Sequence, residues 1–151
     1  MNVVRTLAVA LLAGLAIPAT ALGAEGTKIE AQDWSFAPPF GRFDKGQLQR
    51  GYKVYQYVCA NCHSARLLSY RNLGEPGGPG FSHEAVEALA SQAQITDGPD
   101  DTGQMYQRPG VPSDRFRSPY ANDAAARAAN NGALPPDLSV MAKARAGGPD
   151  Y

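Results

Sequence analysis

The chain has 151 residues, enough for one domain with a single hydrophobic core. Its 14 basic and 14 acidic side chains balance, and no basic stripe is present, so nucleic acid is not expected as a partner. Sixteen glycines and twelve prolines accompany plentiful aromatic residues, which predicts a loop-rich globular domain rather than a disordered chain.

Residues 1–24 are typical of a signal peptide. Arg5 is the only charge before Glu25, residues 7–17 form an apolar run too short to span a bilayer, and Pro18 ends it. Cleavage is expected after one of three small residues: Ala21, Gly23 or Ala24. The mature protein is therefore expected to be exported, with an uncleaved membrane anchor as the alternative.

Residues 25–43 are predicted to form an extended N-terminal arm, ahead of a folded domain over 44–151. Pro38-Pro39 excludes a helix within the arm, because proline lacks the N–H that a helix interior needs. Four aromatic side chains are expected to anchor the arm to the domain: Trp34, Phe36, Phe40 and Phe43.

A first helix is predicted from Asp44, a favourable N-cap residue, with Gln47 three positions later as in a capping box. Apolar residues recur behind it at helical spacing and form one face: Leu48, Tyr52, Tyr55 and Cys59. The helix would therefore deliver the following cysteines to the side that carries its core residues.

Both cysteines of the chain lie in the run Cys59-Ala60-Asn61-Cys62-His63. The C-x-x-C-H pattern is typical of covalent haem c attachment. Two thiols one helical turn apart can each form a thioether with a haem vinyl group, and the adjacent imidazole can bind the iron. Such sites receive haem outside the cytoplasm, in agreement with the export signal.

Three other uses of these cysteines are less consistent with the sequence than haem attachment. A redox dithiol requires a thioredoxin-like βαβ pattern, which the sequence does not show. Structural zinc usually takes four protein ligands, and beyond His63 the chain offers only His83, expected on a helix surface. A disulfide between Cys59 and Cys62 would close a very short loop for little gain in stability. Haem attachment is the favoured interpretation.

Helices are predicted to alternate with loops further along the chain. Residues 74–80 are a loop by composition, and Ser82 is expected to cap a second helix that runs to about Gln94. Its inward-facing residues are expected to be Val86, Leu89 and Ala90. Residues 97–118 are rich in glycine, proline and aspartate and are predicted to be one long loop.

The C-terminal part is predicted to contain two short helices. The first covers about 122–130 and is ended by Gly132 at a C′ position. Residues 134–139 form an extended turn, and a last helix runs over about 138–146 until Gly147-Gly148. No alternating strand pattern is evident, so the fold is predicted to be mostly α.

Four stretches together carry a family resemblance. They are residues 51–64, which include the C-x-x-C-H run, residues 105–110, Tyr120, and the alanine-rich run 124–139 that ends in Pro-Pro-Asp-Leu-Ser. Over about residues 34–151 the chain resembles the cytochrome c1 family, the haem subunits of ubiquinol–cytochrome c reductase. The resemblance implies a class I cytochrome c-like haem domain, mostly α with long loops.

The resemblance also assigns roles to residues of the attachment run. Cys59 and Cys62 look like the thioether cysteines of one haem c, and His63 like the proximal iron ligand. In c-type cytochromes a backbone carbonyl from a proline-containing loop holds the other ring nitrogen of this histidine. The resemblance does not say which carbonyl of this chain would do so.

Two further contacts with the haem are implied. Arg108, followed by Pro109, looks like the partner of a haem propionate, because a guanidinium binds a carboxylate through two hydrogen bonds. A surface arginine is the alternative. The turn that contains Pro136 and Leu138 is expected to pack on the haem face, with a helix-initiating turn that does not contact haem as the alternative.

The implied function is one-electron transfer from a Rieske iron–sulfur subunit to a cytochrome c. The chain would work beside cytochrome b on the periplasmic side of the bacterial inner membrane, and it would not be a catalyst by itself. Three carboxylates could form part of an acidic docking face for a basic partner, or belong to a solvated loop: Asp97, Asp100 and Asp101.

The chain departs from the family at its C-terminal side. The axial methionine and the hydrophobic membrane anchor of the family would lie beyond Tyr151, so the haem domain is expected to be C-terminally incomplete. Met105 and Met141 are expected to pack rather than bind iron, and an open axial position would lower the potential. A free periplasmic c-type cytochrome, an inactive fragment, and a haem enzyme or sensor remain the alternatives.

Overall fold

The computed structural model describes residues 28–37 and 39–150. The predicted signal peptide lies outside the described residues. Within the described part, four α-helices and one two-stranded sheet follow each other along the chain. In chain order they are α1 (Lys45–Tyr57), α2 (His83–Ser91), β1 (Gln94–Asp97), β2 (Tyr106–Pro109), α3 (Asp123–Ala129) and α4 (Met141–Ala144).

Three short 3₁₀ turns complete the regular structure: Cys59–Asn61, Tyr70–Leu73 and Gly148–Asp150. The prediction of a mostly α fold is therefore only partly correct, because the helices are short and a hairpin separates α2 from α3. A class I cytochrome c-like arrangement stays a prediction. No helix in the described ranges is long and apolar enough to cross a membrane.

Helix α1 begins as its sequence predicts. The Asp44 carboxylate accepts a hydrogen bond from the backbone N–H of Gln47 at 2.7 Å, which satisfies one of the unpaired donors of the first turn. Ser82 and Asn122 cap α2 and α3 in the same way. Asn131, with a φ of 52°, occupies the C′ position predicted for Gly132. Gly132 follows with a φ of 88° and donates its N–H to the Arg127 carbonyl, so α3 ends one residue earlier than predicted.

The hydrophobic core is small and centres on Phe116. Its ring lies 4.9 Å from that of Tyr70, 5.7 Å from that of Tyr55 and 5.9 Å from that of Tyr52, measured between centroids. The other buried core residues are Ala65, Leu73, Val86 and Ala90. The tyrosines of α1 thus join the helix that precedes the cysteines to the rest of the domain.

The hairpin corrects two predictions. Residues 97–118 are not one loop, since β2 lies within them, and α2 ends at Ser91 rather than Gln94. Each strand has four residues, too few to show alternation in the sequence. Side chains assist the antiparallel ladder: Gln107 donates to the Thr96 hydroxyl at 2.6 Å, directly across the hairpin.

The last helix is shorter than predicted. It covers Met141–Ala144 instead of residues 138–146, because backbone N–H groups before it form other hydrogen bonds. The Leu138 N–H donates to the Ser64 carbonyl at 2.8 Å, and the Ser139 N–H donates to the Asp137 carboxylate at 2.9 Å. These bonds hold the preceding turn in an extended form.

The prediction of four aromatic anchors in the N-terminal arm is only partly correct. The rings of Trp34, Phe36 and Phe43 form a stack with centroid separations of 5.5 and 4.6 Å. The Trp34 indole N–H donates to Asp150 at 2.5 Å, which ties the arm to the end of the described chain. Phe40 is 95% exposed, so the prediction that it is an anchor is wrong.

Two glycines give opposite predictions for substitution by alanine. A Cβ on Gly51, in the middle of α1, would meet nothing within 4 Å, so Gly51→Ala is expected to raise the free energy of unfolding by about 0.5–1 kcal/mol. A Cβ on Gly110 would lie 2.6 Å from the Ala90 carbonyl oxygen, so Gly110→Ala is expected to lower it by about 1–3 kcal/mol. Urea unfolding checks both; equal effects would contradict the packing at Gly110.

Candidate haem-binding site

The 3₁₀ turn that follows α1 positions the cysteines. Both the Cys62 N–H and the His63 N–H donate to the Cys59 carbonyl, at 3.1 and 2.8 Å. The two thiols are free; Cys59 is half-buried and Cys62 is exposed. In the described part of the chain, no group of three or more His, Cys, Asp or Glu side chains is arranged to hold a metal ion.

The imidazole of His63 is oriented by the chain itself. Its Nδ1 lies 2.8 Å from the carbonyl oxygen of Pro136. A carbonyl can only accept, so in the neutral imidazole Nδ1 carries the proton and Nε2 keeps a lone pair. This contact supplies the proline-loop carbonyl that the family resemblance leads us to expect, and it leaves Nε2 as the nitrogen able to bind iron.

Asp137 joins the turn of Pro136 to the segment that follows His63. Its Oδ2 accepts from the Ser64 hydroxyl at 2.8 Å, from the Arg66 N–H at 2.9 Å and from the Arg66 side chain at 3.3 Å. Ser139 adds a further bond, since its hydroxyl accepts from the Leu67 N–H at 3.0 Å. The turn and the attachment segment are therefore fixed to one another at several points.

The environment of Asp137 stabilises its charged form. Partial burial alone would raise the pKa of this carboxyl, but the hydrogen bonds from Arg66, Ser139 and Ser64 lower that pKa well below its usual range. The charged form therefore prevails over the whole range in which the protein is expected to work.

Acid should weaken the protein through Asp137. Because its pKa is lower in the folded than in the unfolded state, its contribution is complete above about pH 4, the unfolded value, and is lost as pH falls through the folded value. At pH 7, Asp137→Asn is expected to lower the free energy of unfolding by about 2 kcal/mol. The difference in free energy of unfolding between wild type and Asp137→Asn, measured by urea titration, should shrink as pH falls towards about 2.

Other carboxylates also have lowered pKa values, among them Asp97 and Asp114. Both wild type and Asp137→Asn will therefore lose some stability in acid. Only the difference between wild type and Asp137→Asn reports on Asp137. A difference that stays constant from pH 7 to pH 2 would contradict the assignment.

A cavity of about 430 Å³ opens beside Cys62. Its walls come from the attachment segment, the Pro136 turn and the start of α3, and include Ser64, Tyr120, Ala126 and Pro135. A larger cavity of about 690 Å³ lies between α1 and the aromatic arm, but neither cysteine nor His63 lines it. The smaller cavity is lined by Cys62 but not by Cys59 or His63. The two free thiols beside an oriented imidazole fit a covalently held haem.

Arg108 makes different contacts from those the resemblance implies. Its guanidinium binds Asp114 through two hydrogen bonds, of 2.7 and 2.9 Å, and also binds Asp97. The hydrogen bonds from Asp114 and Asp97 raise the pKa of Arg108. Neither Arg108 nor Pro109 lines the cavity beside Cys62. The propionate role of Arg108 and the haem contact of Pro109 stay predictions.

Two of the three carboxylates considered for docking already have structural partners. Asp97 binds Arg108, and Asp100 accepts from Thr102 and from the Gln104 N–H, which shapes the turn of the hairpin. An acidic docking face that includes Asp101 stays a prediction. His83 is on the surface as predicted, with its Nε2 3.1 Å from Glu87.

The two downstream methionines lie in different surroundings. Met105 is 59% exposed in the hairpin turn, whereas Met141 is half-buried at the start of α4. Leu138, from the predicted haem-facing turn, is half-buried and bonded through its N–H to Ser64. The packing of Pro136 and Leu138 on a haem face also stays a prediction.

Sequence reasoning missed the side chains that hold this site together: Ser64, Arg66, Asp137 and Ser139. Ser64, Asp137 and Ser139 lie in stretches that carry the family resemblance, which was the only available signal. Nothing in residue type or spacing shows that positions 64–67 and 137–139 meet in space.

The chain is similar to known proteins over most of its length. The model of the Cytochrome C1 family matches residues 34–151. The chain belongs to the cytochrome c1 family. The match begins at Trp34 in the aromatic arm and continues to the end of the chain, so it includes the attachment run and the turn that orients His63.

Individual relatives come from bacteria and plants. The chain is 58% identical over 115 residues to a cytochrome b/c1 of Bradyrhizobium diazoefficiens, covering 76% of this chain and 17% of the relative. It is 51% identical over 126 residues to cytochrome c1 of Rhodospirillum rubrum, covering 83% and 45%. It is 47% identical over 141 residues to a mitochondrial cytochrome c1 heme protein of Solanum tuberosum, covering 93% and 53%. The chain thus spans about half or less of these relatives.

Proposed function

We propose that this chain holds one haem c and carries single electrons within a ubiquinol–cytochrome c reductase. The observation that supports this most directly is the contact between His63 Nδ1 and the Pro136 carbonyl at 2.8 Å, next to two free thiols. It leaves Nε2 unprotonated in the segment that carries both attachment cysteines. Membership of the cytochrome c1 family supports the same assignment.

The chain's own residues would do three things in this function. Cys59 and Cys62 would hold the haem through thioethers, and His63 Nε2 would bind its iron. The Pro136 carbonyl keeps the proton of His63 on Nδ1, so the metal-binding nitrogen stays available. When bound, the haem supplies reversible one-electron oxidation and reduction. No side chain is required to move a proton.

The partners and the location belong to the same proposal. An iron–sulfur subunit would supply electrons, a cytochrome c would accept them, and cytochrome b would be the neighbouring subunit. The Bradyrhizobium relative is named cytochrome b/c1, which supports cytochrome b as a partner. The apolar N-terminal segment supports export to the periplasmic side of the inner membrane.

Intact mass and a reduced-minus-oxidised spectrum test the proposal. The full chain is produced with its own N-terminal segment in a bacterial host that attaches haem c. We expect a denaturation-resistant mass increase equal to one haem, loss of the N-terminal segment, and a spectrum that changes reversibly on reduction. A purified, folded chain without the haem increment would overturn the proposal.

A further inference from the structure

The turn that accepts from His63 has no regular structure to hold it in place. Residues 134–139 lie between α3 and α4, with no helix or strand of their own. A carbonyl acceptor on such a turn keeps its position only if other contacts fix the turn. The described contacts that do so come from the Asp137 carboxylate, the Ser139 hydroxyl and the Leu138 N–H, which bond to residues 64–67.

The geometry points to Asp137 as a positioning residue for His63: we infer that its carboxylate holds the Pro136 carbonyl on Nδ1 and thereby sets how strongly the imidazole donates to iron. The inference rests on the proposed function. Asp137 itself does not touch His63, but it binds Ser64, the next residue in the chain, at 2.8 Å. The Leu138 N–H also donates to the Ser64 carbonyl, so the turn is bonded to both the side chain and the backbone of Ser64.

Both oxygens of the Asp137 carboxylate accept hydrogen bonds. Oδ2 accepts from Ser64 and Arg66, and Oδ1 accepts from the Ser139 N–H. A carboxylate can accept on both sides, whereas an amide accepts on one and donates on the other. Asp137→Asn therefore keeps the size of the side chain but places N–H against N–H or O–H in either orientation.

Loss of the Pro136 contact has a predictable electronic result. An imidazole whose N–H is hydrogen-bonded to an acceptor is a more basic ligand, and a more basic ligand favours the ferric state. When that bond weakens, the ferric state is less favoured and the midpoint potential rises. A purely structural role for Asp137 would lower stability without a change in potential.

The experiment uses the haem-loaded chain and compares wild type, Asp137→Asn and Asp150→Asn. Asp150 is the matched control because its carboxylate also accepts two hydrogen bonds, but from Gln32 and Trp34 of the arm. We expect an upward shift of the midpoint potential in Asp137→Asn alone. We also expect faster exchange of the His63 Nδ1 proton with water, measured by NMR on ¹⁵N-histidine protein, with exposed His83 as the internal reference.

Each outcome decides the inference. Unchanged potential and unchanged Nδ1 exchange in Asp137→Asn would overturn it, even if stability falls. If Asp137→Asn does not accumulate as a holoprotein, Ser64→Ala removes one donor to the carboxylate and must shift the potential in the same direction by a smaller amount; no shift in Ser64→Ala would overturn it as well. Failure of the proposed function is seen separately, as a wild-type mass without haem.

Discussion

Alanine at both Cys59 and Cys62 should yield a chain without any covalent haem. Thioether formation requires a thiol at each position, and the chain has no other cysteine. In the structure both thiols are free of a disulfide and so available for attachment. We expect complete loss of the haem mass increment under denaturing conditions, together with loss of haem staining on denaturing gels.

The single variants provide the control for this prediction. Cys59→Ala and Cys62→Ala each keep one thiol and the whole Pro136 contact of His63, so each should retain some covalent haem through one thioether. Their reduced spectra should differ from wild type, since one vinyl group stays unsaturated. Haem that remains covalently bound in the double variant would show that attachment does not proceed through these two residues.

The helix starts are the part of the fold that the sequence predicts best. Asp44, Ser82 and Asn122 each cap the helix that their position predicts, because an N-cap bond depends on residues only three positions apart. The ends are less well predicted. Helix α4 loses its first turn to bonds that join Asp137 and Leu138 to Ser64, and such distant partners have no local signature.

The hairpin was missed for a related reason. Strands of four residues give too short a pattern for alternation to be recognised, and much of their stability comes from pairing with each other. The Arg108 contacts with Asp97 and Asp114 lie across this hairpin and beyond it. The propionate role of Arg108 is implied by the family resemblance, and an arginine beside a proline does not by itself show that carboxylates lie nearby.

The attachment site shows which information a sequence holds. Cys59, Cys62 and His63 are predicted as the site from their spacing, because the chemistry of haem c attachment needs those side chains. The acceptor for His63 is a backbone carbonyl, which every residue possesses, so no residue type can reveal it. Pro136 could be assigned only once the structure placed residue 136 beside residue 63.

Phe116→Ala should be the most damaging substitution in the core. The side chain is 7% exposed and its ring meets those of Tyr52, Tyr55 and Tyr70, so its removal leaves a cavity at the centre of the domain. Phenylalanine-to-alanine changes in cores lower the free energy of unfolding by about 3–5 kcal/mol. That is a large fraction of the stability of a typical domain, about 5–15 kcal/mol.

Phe40→Ala is the matched control, because the same atoms are removed from a side chain that is 95% exposed. It should change the free energy of unfolding by less than about 0.5 kcal/mol. Urea unfolding of the two variants, followed by tyrosine fluorescence and circular dichroism, separates the cases.

Tyr55 adds a spectroscopic check. Its hydroxyl is buried with no hydrogen-bond partner among residues 28–37 and 39–150, and burial raises its pKa to about 12. A cavity at Phe116 that admits water should therefore lower this pKa. In an alkaline titration of the tyrosines, one tyrosine should ionise at a lower pH in Phe116→Ala than in wild type, and Phe40→Ala should show no such change. Equal stability of the two variants would contradict a core centred on Phe116.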